Sequence, residues 1–424
     1  MNPTEAIAYI HTFGWEQHAP GLTRIRRLLE LLGNPERSLR FVHAAGTNGK
    51  GSTCAMLASM LQKAGYQVGL NTSPHLVRFE ERIRINGEMI PGETLAALVE
   101  RIRPLADAME EHPTEFELIT VLALLYFKEE ACDIVVLETG LGGELDASNV
   151  IDTPEVAILT AMGLDHSALL GNTLSEVASA KAGIIKPHGQ VVSFGGCPEA
   201  DAVFRRTCAK QGASLYQADF SRIGHPVETL SGTRFTCAPY GELTLPLLGD
   251  YQTKNAMLAI TAAEVLREHG WKLTNEAIRE GIAAARWPGR LELLRPAHPA
   301  VLLDGAHNPH GMRATVDSLK KLLPDRKAVL VLGIMADKAV DEMLDLLVPL
   351  TSEVFTVTPD SPRAMKSSEL ADRILSRGIP ARPCLSPADA LRRAVSRAGS
   401  EGVVCVLGSL YLAGEILETL ETLH

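Results

Sequence analysis

The chain lacks the features that mark several common classes of protein. Its cysteines form no Cys-x-x-Cys pair and no cysteine–histidine spacing typical of a zinc site. No apolar run reaches the ~20 residues that a membrane-spanning helix needs, and the first residues lack the basic start of a signal peptide. We therefore expect a cytoplasmic protein with no membrane partner. The dispersed cysteines are expected to be reduced core thiols: Cys54, Cys132, Cys197, Cys208, Cys237, Cys384 and Cys405.

The chain also has fewer basic than acidic residues. Its 51 acidic residues against 41 lysines and arginines give a formal net charge of −10. This balance argues against a surface that coats nucleic acid. There is no low-complexity tract, and hydrophobic residues make up 46% of the chain, as in ordinary globular proteins. At 424 residues the chain is too long for one typical core. We expect two domains, small-molecule substrates, no nucleic acid and a monomer.

A glycine-rich segment between a predicted strand and a predicted helix is the most informative feature that is present. It reads His43-Ala-Ala-Gly-Thr-Asn-Gly-Lys-Gly-Ser-Thr53, and it departs from the G-x-x-x-x-G-K-[ST] pattern by one extra glycine. In this order the backbone amides and the helix N-terminus can face phosphate oxygens, while Lys50 adds a positive charge and Ser52 offers a magnesium ligand. The segment predicts a nucleotide triphosphate site formed by Gly46, Thr47, Asn48, Gly49, Lys50, Gly51 and Ser52.

Strand-like apolar runs alternate with helix-like segments, a pattern typical of parallel α/β sheets. The first series comprises five candidate strands, at residues 41–45, 67–71, 133–138, 156–160 and 190–194. The short alternating runs of residues 220–248 predict a small antiparallel appendage. The second series of strands lies at residues 300–304, 328–332, 353–357 and 402–407.

A turn signal separates the two series. Trp287-Pro-Gly-Arg290 contains adjacent proline and glycine residues, so we place the domain boundary there. Residues 1–287 are predicted to form a P-loop ATP-binding domain with a parallel sheet. Residues 288–424 are predicted to form a smaller, Rossmann-like α/β domain with its own core.

Polar side chains follow other strands of the first predicted sheet. Glu138 ends the run 133–138, and His166 follows the run 156–160. Because ligands bind at the carboxyl ends of strands in open α/β sheets, we interpret Glu138 as the first magnesium ligand candidate. A lone histidine is more often structural, so we interpret His166 as a metal ligand only if it lies close to Ser52 and Glu138.

Four further groups of residues have roles that spacing alone leaves open. Arg78, Arg82 and Arg84 form a basic segment that is either a surface face or a dock for a carboxylate. Lys181 lies near the end of a predicted helix, where spacing alone favours a solvated lysine. Asp304 to Pro309 could offer a ribose acceptor or simply a capping turn, and Ser409 is either a helix cap or a ligand donor.

Taken together, these motifs resemble the folylpolyglutamate synthase family of the Mur ligase superfamily, which includes bifunctional dihydrofolate synthases. The resemblance covers nearly the whole chain. Its motifs are residues 46–53, 72–75, 81–87, 140–150, 164–166, 181–185, 287–292, 304–309 and 408–412.

The resemblance implies a ligase that uses ATP and Mg²⁺. A carboxylate of a pteroate or folate is phosphorylated, and the amine of glutamate attacks the acyl phosphate. Lys50 would stabilise the transferring phosphoryl group. Lys181 matches a family lysine that is carbamylated, and it is implied to be catalytic together with Lys50 and His307. The implied magnesium ligands are Ser52, Ser73, Glu138 and His166.

The same resemblance assigns the substrate-binding residues. Asn255 would contact the adenine, Arg290 the phosphates and Asp304 the ribose. His307 and Ser409 would orient the incoming glutamate. The residues near the folate and its reacting carboxylate are implied to be Ser73, Arg82, Phe116 and Asp146.

Two positions depart from the family pattern. Many relatives carry a basic residue in place of Glu144, and a glutamate commonly stands in place of Ala180. Neither departure removes a catalytic group, but Glu144 adds negative charge near an anionic substrate.

Several alternatives to the folate interpretation remain open at this point. A cell-wall Mur ligase usually adds an N-terminal UDP-binding domain, and only about 40 residues precede the phosphate loop, too few for such a domain. A nucleotide-dependent switch would not need the second-domain motifs. We predict glutamate addition to both dihydropteroate and folate; the alternatives are folate extension alone or a Mur-type ligase for another carboxylate.

Overall fold

The computed structural model describes residues 1–14 and 21–421. The chain divides into two compact units. The first unit comprises Met1–Arg222, Ala238–Gly241 and Lys254–Ala285, and the second comprises Ile223–Cys237, Glu242–Thr253 and the chain from Arg286 onward. In the described residues no helix is long and apolar enough to cross a membrane.

The first unit is built on an eight-stranded sheet with the order β4-β3-β2-β5-β1-β6-β7-β8. All neighbouring strands are parallel except at the β2-β3 and β3-β4 pairs, which are antiparallel. The strands are β1 Phe41–Ala45, β2 Val68–Asn71, β3 Ile83–Ile85, β4 Glu88–Met89, β5 Ile134–Glu138, β6 Val156–Leu159, β7 Gln190–Ser193 and β8 Ser214–Gln217.

Helices cover this sheet and bury its central strands on both faces, which is why β1, β5 and β6 read as continuous apolar runs. Helix α5 is the most deeply buried of those in the main core, and its N-terminus is a capping box of Thr114 and Glu117. The helices are α1 Pro3–His11, α2 Thr23–Leu31, α3 Lys50–Lys63, α4 Gly92–Asp107, α5 Glu115–Glu129, α6 Ser167–Leu170, α7 Leu174–Ala182, α8 Pro198–Gln211, α9 Asp250–Glu268 and α10 Asn275–Ala284.

The second unit contains a six-stranded sheet with the order β12-β13-β17-β14-β15-β16, in which only β12 is antiparallel to its neighbour. The strands are β12 Glu292–Arg295, β13 Ala300–Leu303, β14 Ala328–Leu332, β15 Thr351–Thr356, β16 Ala381–Pro383 and β17 Val403–Leu407. The helices are α11 Pro309–Leu322, α12 Val340–Leu347, α13 Ser367–Leu375, α14 Pro387–Ala398 and α15 Leu410–Glu421.

A three-stranded sheet with the order β11-β10-β9 occupies the predicted appendage. Its strands are β9 Gly224–Thr229, β10 Gly232–Cys237 and β11 Gly241–Leu245, and β9 and β10 pair antiparallel as predicted. Most of this segment belongs to the second unit, whereas we expected it within residues 1–287. The reason is packing, because Leu230 and Leu248 lie against the core of the second unit. Lys321 of α11 also pairs with Asp250.

The predicted strands of both series are confirmed to within two residues at each end. Helix α3, predicted to follow the glycine-rich segment, begins at Lys50, inside that segment. The cysteines are unpaired and buried as expected, except that Cys197 is only partly buried.

Candidate active site

Contacts to the segment after β6 hold the glycine-rich loop that follows β1. The amides of Thr47 and Asn48 donate to the Ala161 carbonyl at 3.0 and 3.2 Å, and the Thr47 hydroxyl donates to the Gly163 carbonyl at 2.8 Å. Gly49 has a φ of +85°, a left-handed conformation that glycine adopts without strain. Because α3 begins at the next residue, the loop leads directly into a helix N-terminus that can bind an anion.

Two lysines meet at one backbone oxygen of this loop. The Nζ atoms of Lys50 and Lys181 donate to the Gly46 carbonyl at 3.2 and 2.7 Å. Lys181 is only 4% exposed, so the solvated lysine that spacing alone favoured is wrong. Burial, followed by the charge of Lys50, lowers the pKa of Lys181 to about 7, while Asp165 and Asp146 act in the opposite direction. Part of this amine is therefore unprotonated near neutral pH.

Glu138 lies at the carboxyl end of β5, beside the last residues of β1. Its carboxylate is buried, and Oε2 accepts a hydrogen bond from the Ser73 amide at 3.1 Å. Burial and then the charge of Glu138 raise the pKa of the Cys54 thiol, an effect that Lys50 opposes. Glu138 and Lys50 therefore both lie near the first turns of α3.

Oxygen donors at this edge of the sheet fit magnesium. In phosphate-transfer sites this ion takes one or two carboxylates together with phosphate oxygens and water. Ser52 is buried in the first turn of α3 near Glu138. The buried hydroxyls of Thr139 and Thr160, which follow β5 and β6, have no hydrogen-bond partner in the described part of the chain, so this edge still offers unused oxygen ligands.

Side-chain ligands alone do not form a metal cage here. Residues 1–14 and 21–421 contain no group of three or more histidine, cysteine, aspartate or glutamate side chains that could hold a metal ion. The side chain of His166 is 41% exposed, and its Nε2 lies 3.9 Å from Asp165 Oδ2. The set of Ser52, Ser73, Glu138 and His166 stays a prediction.

Residues of the segment after β2 orient the Arg82 side chain. Arg82 Nε donates to His75 Nδ1 at 2.8 Å, and the Arg82 guanidinium carbon lies 5.7 Å from the centre of the Phe79 ring. Burial and then the charge of Arg82 lower the pKa of His75 to about 4, so this imidazole is neutral at physiological pH. Arg82 is thus held in one orientation, whereas Arg78 is an exposed surface residue.

The loop after β5 lies between Phe116 and the end of α7. The backbone of Gly140 is so close to the Phe116 ring that a Cβ there would fall 2.6 Å from the ring edge. At the other side the Glu144 amide donates to the Ala180 carbonyl at 2.9 Å. The two departures from the family pattern are therefore in direct backbone contact.

Asp146 organises this loop from within. Its Oδ2 accepts from the Leu141 amide at 2.7 Å, and its Oδ1 accepts from the Ser148 amide at 3.0 Å, which caps the 3₁₀ turn Ala147–Val150. Burial raises the pKa of Asp146, while these hydrogen bonds act to lower it. A contact with a pterin, as the resemblance implies, stays a prediction.

Asn255 lies against the phosphate loop. A Cβ on Gly49 would fall 2.6 Å from Asn255 Oδ1, so only glycine lets the loop pass this close to the amide. Asn255 is buried in α9. Its predicted contact with adenine stays a prediction.

In the second unit Asp304 is the buried centre of a turn. Its Oδ2 accepts from the Leu291 amide at 2.7 Å and from the Tyr251 hydroxyl at 3.3 Å. Its Oδ1 accepts from the Ala306 amide and the Thr315 hydroxyl at 2.8 and 2.9 Å. The carboxylate therefore tethers the residue next to Arg290, and the turn interpretation is confirmed.

The other motif residues of this unit also have clear local roles. Asn308 caps α11 by accepting from the Gly311 amide at 2.7 Å. His307 Nδ1 lies 2.9 Å from the Gly305 carbonyl, so Nδ1 is the protonated nitrogen. Ser409 is buried and accepts from the Leu412 amide at 3.0 Å, which confirms the cap interpretation.

Three polar residues near these sites had no assigned role in the sequence interpretation: the buried His43 and Ser148, and the partly buried Tyr251. His43 offered one signal, because it is a polar residue in a strand whose every other position is apolar. A buried polar side chain in such a strand usually makes a specific hydrogen bond. Ser148 contacts His43 and Tyr251 contacts Asp304, partners that are far away in sequence, and neither contact gave a signal.

Comparison with protein families gives two matches, which lie in the two halves of the chain. Residues 44–263 match the Mur ligase middle domain, and residues 289–410 match the glutamate ligase domain of Mur ligases. The first match includes the phosphate loop, Glu138 and Lys181, and the second includes Asp304 and His307. Together they define a Mur-type ligase.

Comparison with individual relatives identifies the family within the Mur-type ligases. The chain is 38% identical to the dihydrofolate synthase/folylpolyglutamate synthase of Bacillus subtilis over 95% of each chain. It is 39% identical to the folylpolyglutamate synthase of Lacticaseibacillus casei over 99% of each chain. The Mycobacterium tuberculosis folylpolyglutamate synthase (FPGS) complexed with ADP superposes with a TM-score of 0.91 at 32% identity, covering 99% of this chain and 98% of that one. The chain therefore belongs to the folylpolyglutamate synthase family of Mur ligases.

Proposed function

We propose that the chain is an ATP-dependent ligase that joins L-glutamate to a folate carboxylate through an acyl phosphate, and that it accepts both dihydropteroate and reduced folates. The observation that carries this proposal is the meeting of Lys50 and Lys181 at the Gly46 carbonyl, with Glu138 at the neighbouring strand end. Relatives support the substrate class. One is a bifunctional dihydrofolate synthase/folylpolyglutamate synthase, and an FPGS complex with AMPPCP and folate superposes with a TM-score of 0.87 at 36% identity, covering 99% of this chain and 100% of that one.

The phosphate loop performs the first half of the reaction. Its amides and Lys50 bind the phosphates of ATP and stabilise the negative charge that spreads over the transferred phosphoryl group. Gly46 and Gly49 let the backbone approach closely, since a side chain at either would meet Thr160 or Asn255. The family resemblance assigns Asn255 to the adenine, and its side chain lies against this loop at Gly49.

Magnesium would neutralise phosphate charge here, held by Ser52, Ser73, Glu138 and His166. Glu138 is the ligand with the strongest structural support, because it is buried near Lys50 and already fixes the Ser73 amide. The hydroxyls of Ser52 and Ser73 complete an oxygen donor set typical of this ion.

Lys181 has the chemistry that carbamylation requires. A neutral lysine nitrogen attacks CO₂ and releases one proton, which leaves a carbamate anion. A pKa of about 7 makes a substantial fraction of this amine neutral at physiological pH. The conversion would replace a buried cation beside Lys50 by an anion, which removes a repulsion between like charges.

Arg82, Phe116 and Asp146 are assigned to the folate. The guanidinium of Arg82 is pre-oriented by His75, as recognition of a carboxylate requires. The Phe116 ring can pack against a flat pterin. Asp146 shapes the adjoining loop. Its Oδ1 accepts from both the amide and the hydroxyl of Ser148, so a donor of the pterin would bind Oδ2.

Residues of the second unit are assigned to ATP and glutamate. Arg290 would contact the phosphates and Asp304 the ribose, and Asp304 additionally fixes the Leu291 amide beside Arg290. His307 and Ser409 would orient the glutamate. With its Nδ1 proton bonded to the Gly305 carbonyl, His307 has Nε2 as the nitrogen that can accept a proton from the glutamate amine.

A product assay tests the whole proposal. The purified chain is supplied with ATP, Mg²⁺ and labelled glutamate, and with dihydropteroate or tetrahydrofolate in separate reactions. Incorporation with both substrates is expected. Incorporation with tetrahydrofolate alone would restrict the chain to folate extension. Incorporation with neither substrate would favour a Mur-type ligase for another carboxylate. Light scattering on the same sample tests the proposed monomer.

A further inference from the structure

A buried chain of hydrogen bonds connects the phosphate-loop strand to the loop after β5. His43 lies in the middle of β1, and its Nε2 is 2.8 Å from the Ser148 hydroxyl. That hydroxyl is in turn 2.5 Å from Asp146 Oδ1. All three side chains are buried, and His43 and Ser148 are fully excluded from solvent.

The direction of these hydrogen bonds is determined by the donors around Asp146. The carboxylate faces the amides of Leu141 and Ser148, both of which can only donate. The Ser148 hydroxyl has one proton, which it gives to Asp146, and it must therefore accept from His43. The imidazole carries its proton on Nε2, and Nδ1 is the bare nitrogen.

Packing alone does not explain a histidine at this position. Its cross-strand neighbours are Leu137 on β5 and Ala157 on β6, both apolar. Nδ1 is buried with no hydrogen-bond partner among the described residues, which is costly for an imidazole. An aliphatic side chain would fill the same space without that cost, so the useful group is the Nε2 proton.

The hydrogen bonds from His43 through Ser148 to Asp146 form a relay, and this relay ends at a carboxylate that closes a loop. Asp146 Oδ2 accepts from the Leu141 amide, five residues earlier in the chain. Within that loop the Glu144 amide donates to the Ala180 carbonyl, and Gly143 lies against the Lys181 carbonyl. The rotamer of Asp146 therefore sets how the loop of residues 141–146 lies on the end of α7.

We propose that His43 is a positioning residue for the folate-binding loop: through Ser148 it holds the Asp146 carboxylate, and with it residues 141–146, in the conformation that binds the pterin. The proposal rests on the assignment of Asp146 to the folate in the proposed function. His43 does not touch the substrate, and its effect should appear in folate binding and not in nucleotide binding.

Kinetics of four variants test the relay. His43→Leu removes the donor at similar volume, Ser148→Ala breaks the middle of the chain, and the double variant removes both groups. His43→Gln is the matched control, because its amide nitrogen can replace Nε2 as the donor. The KM for tetrahydrofolate should rise about 5-fold in each broken relay, the factor expected for one hydrogen bond, while the KM for ATP stays within about 2-fold.

Rescue and non-additivity separate positioning from general damage. His43→Gln should restore the folate KM to within about 2-fold of the unmodified chain, and the double variant should resemble the single ones because all three break one relay. Equal rises of both KM values, additive effects, or no rescue by glutamine would each overturn the proposal.

Hydrogen exchange keeps this test separate from the proposed function. The Leu141 amide should exchange faster in full-length His43→Leu than in the unmodified chain or His43→Gln, while amides of β14 are unchanged. This measurement needs no substrate, so it decides the relay even if the chain ligates no folate. Unchanged protection of Leu141 in His43→Leu would show that His43 does not hold the loop.

Discussion

Lys50 and Lys181 donate to the same backbone oxygen, that of Gly46, although they lie 131 positions apart in the sequence. Two ammonium groups on one carbonyl repel each other, and burial strengthens this repulsion. Burial lowers the pKa of Lys181, and the charge of Lys50 beside it lowers that pKa further.

Replacement of Lys50 should abolish most of the ligase activity. Lys50→Met removes the charge that stabilises the transferring phosphoryl group, and kcat should fall about 100-fold or more, as for loss of one strong electrostatic group. Steady-state glutamate incorporation measures the effect. Lys63→Met, at the exposed end of the same helix, is the control and should be neutral. Undiminished activity of Lys50→Met would refute the phosphate-loop assignment.

The stability of the chain should depend on pH through Lys181. Its pKa in the folded state is about 7 against 10.5 ordinarily, so between these values the unfolded chain binds the extra proton. Stability from this group therefore rises with pH across that window, and the burial penalty is largest below pH 7.

Lys181→Met should remove that dependence. In CO₂-depleted buffer the variant should be more stable than the unmodified chain at pH 7. This difference in unfolding free energy should decrease by about 1.4 kcal/mol per pH unit between pH 7 and 9. Chemical denaturation at several pH values measures it. Lys210→Met changes a lysine on the exposed side of α8 and should show no such trend. A constant difference between Lys181→Met and the unmodified chain would contradict the lowered pKa.

Carbamylation of Lys181 should be visible directly. The full-length chain in ¹³C-bicarbonate should show one carbamate resonance that Lys181→Met lacks. Ligase activity should fall in CO₂-free buffer and return when bicarbonate is added, because an anion at this position relieves the repulsion by Lys50. A resonance that persists in Lys181→Met would assign the carbamate to another amine.

Arg82 should recognise the substrate carboxylate through its fixed orientation. Arg82→Lys keeps the charge but loses the Nε donor to His75, and the KM for tetrahydrofolate should rise about 5- to 10-fold with little change for ATP. Arg78→Lys, on the exposed part of the same segment, is the control. Equal effects of the two substitutions would mean that local charge, and not geometry, attracts the folate.

Asp304 should contribute to stability as well as to ligand binding. Asp304→Ala leaves the Leu291 and Ala306 amides without their buried acceptor, and it should destabilise the second unit by about 2 to 4 kcal/mol. Tyr251→Phe removes one longer hydrogen bond and should cost about 1 kcal/mol or less. Hydrogen exchange of β13 amides measures both. An Asp304→Ala chain with unchanged protection would mean that Asp304 does not support the turn.

Local sequence patterns were sufficient to predict the architecture of the chain. Buried parallel strands are continuous apolar runs, and glycine, proline and acidic residues at their ends mark the turns. This is why the strand that ends at Glu138 and the strands that directly precede Gly46 and Asp304 were located correctly. The start of α3 was less visible, because its first turn is the phosphate loop itself and has no apolar periodicity.

Burial of single polar groups was not visible in the same patterns. The family resemblance implies that Asp146 and Asp304 accept hydrogen bonds from ligands, and the structure shows that each also accepts hydrogen bonds from backbone amides. The donors Leu141 and Leu291 are backbone amides, and no sequence motif shows which carbonyl or carboxylate an amide will meet.

The order of residues along the chain was enough to specify an α/β ligase of this family, because strand, turn and helix preferences are local and the phosphate loop is one continuous segment. The environment of Lys181 was decided only by tertiary structure. Its spacing indicates a solvated helix end, yet packing of α7 beside the phosphate loop buries its amine against Gly46. Charge state depends on burial and on neighbours that are distant in sequence, and so does the relay from His43 to Asp146.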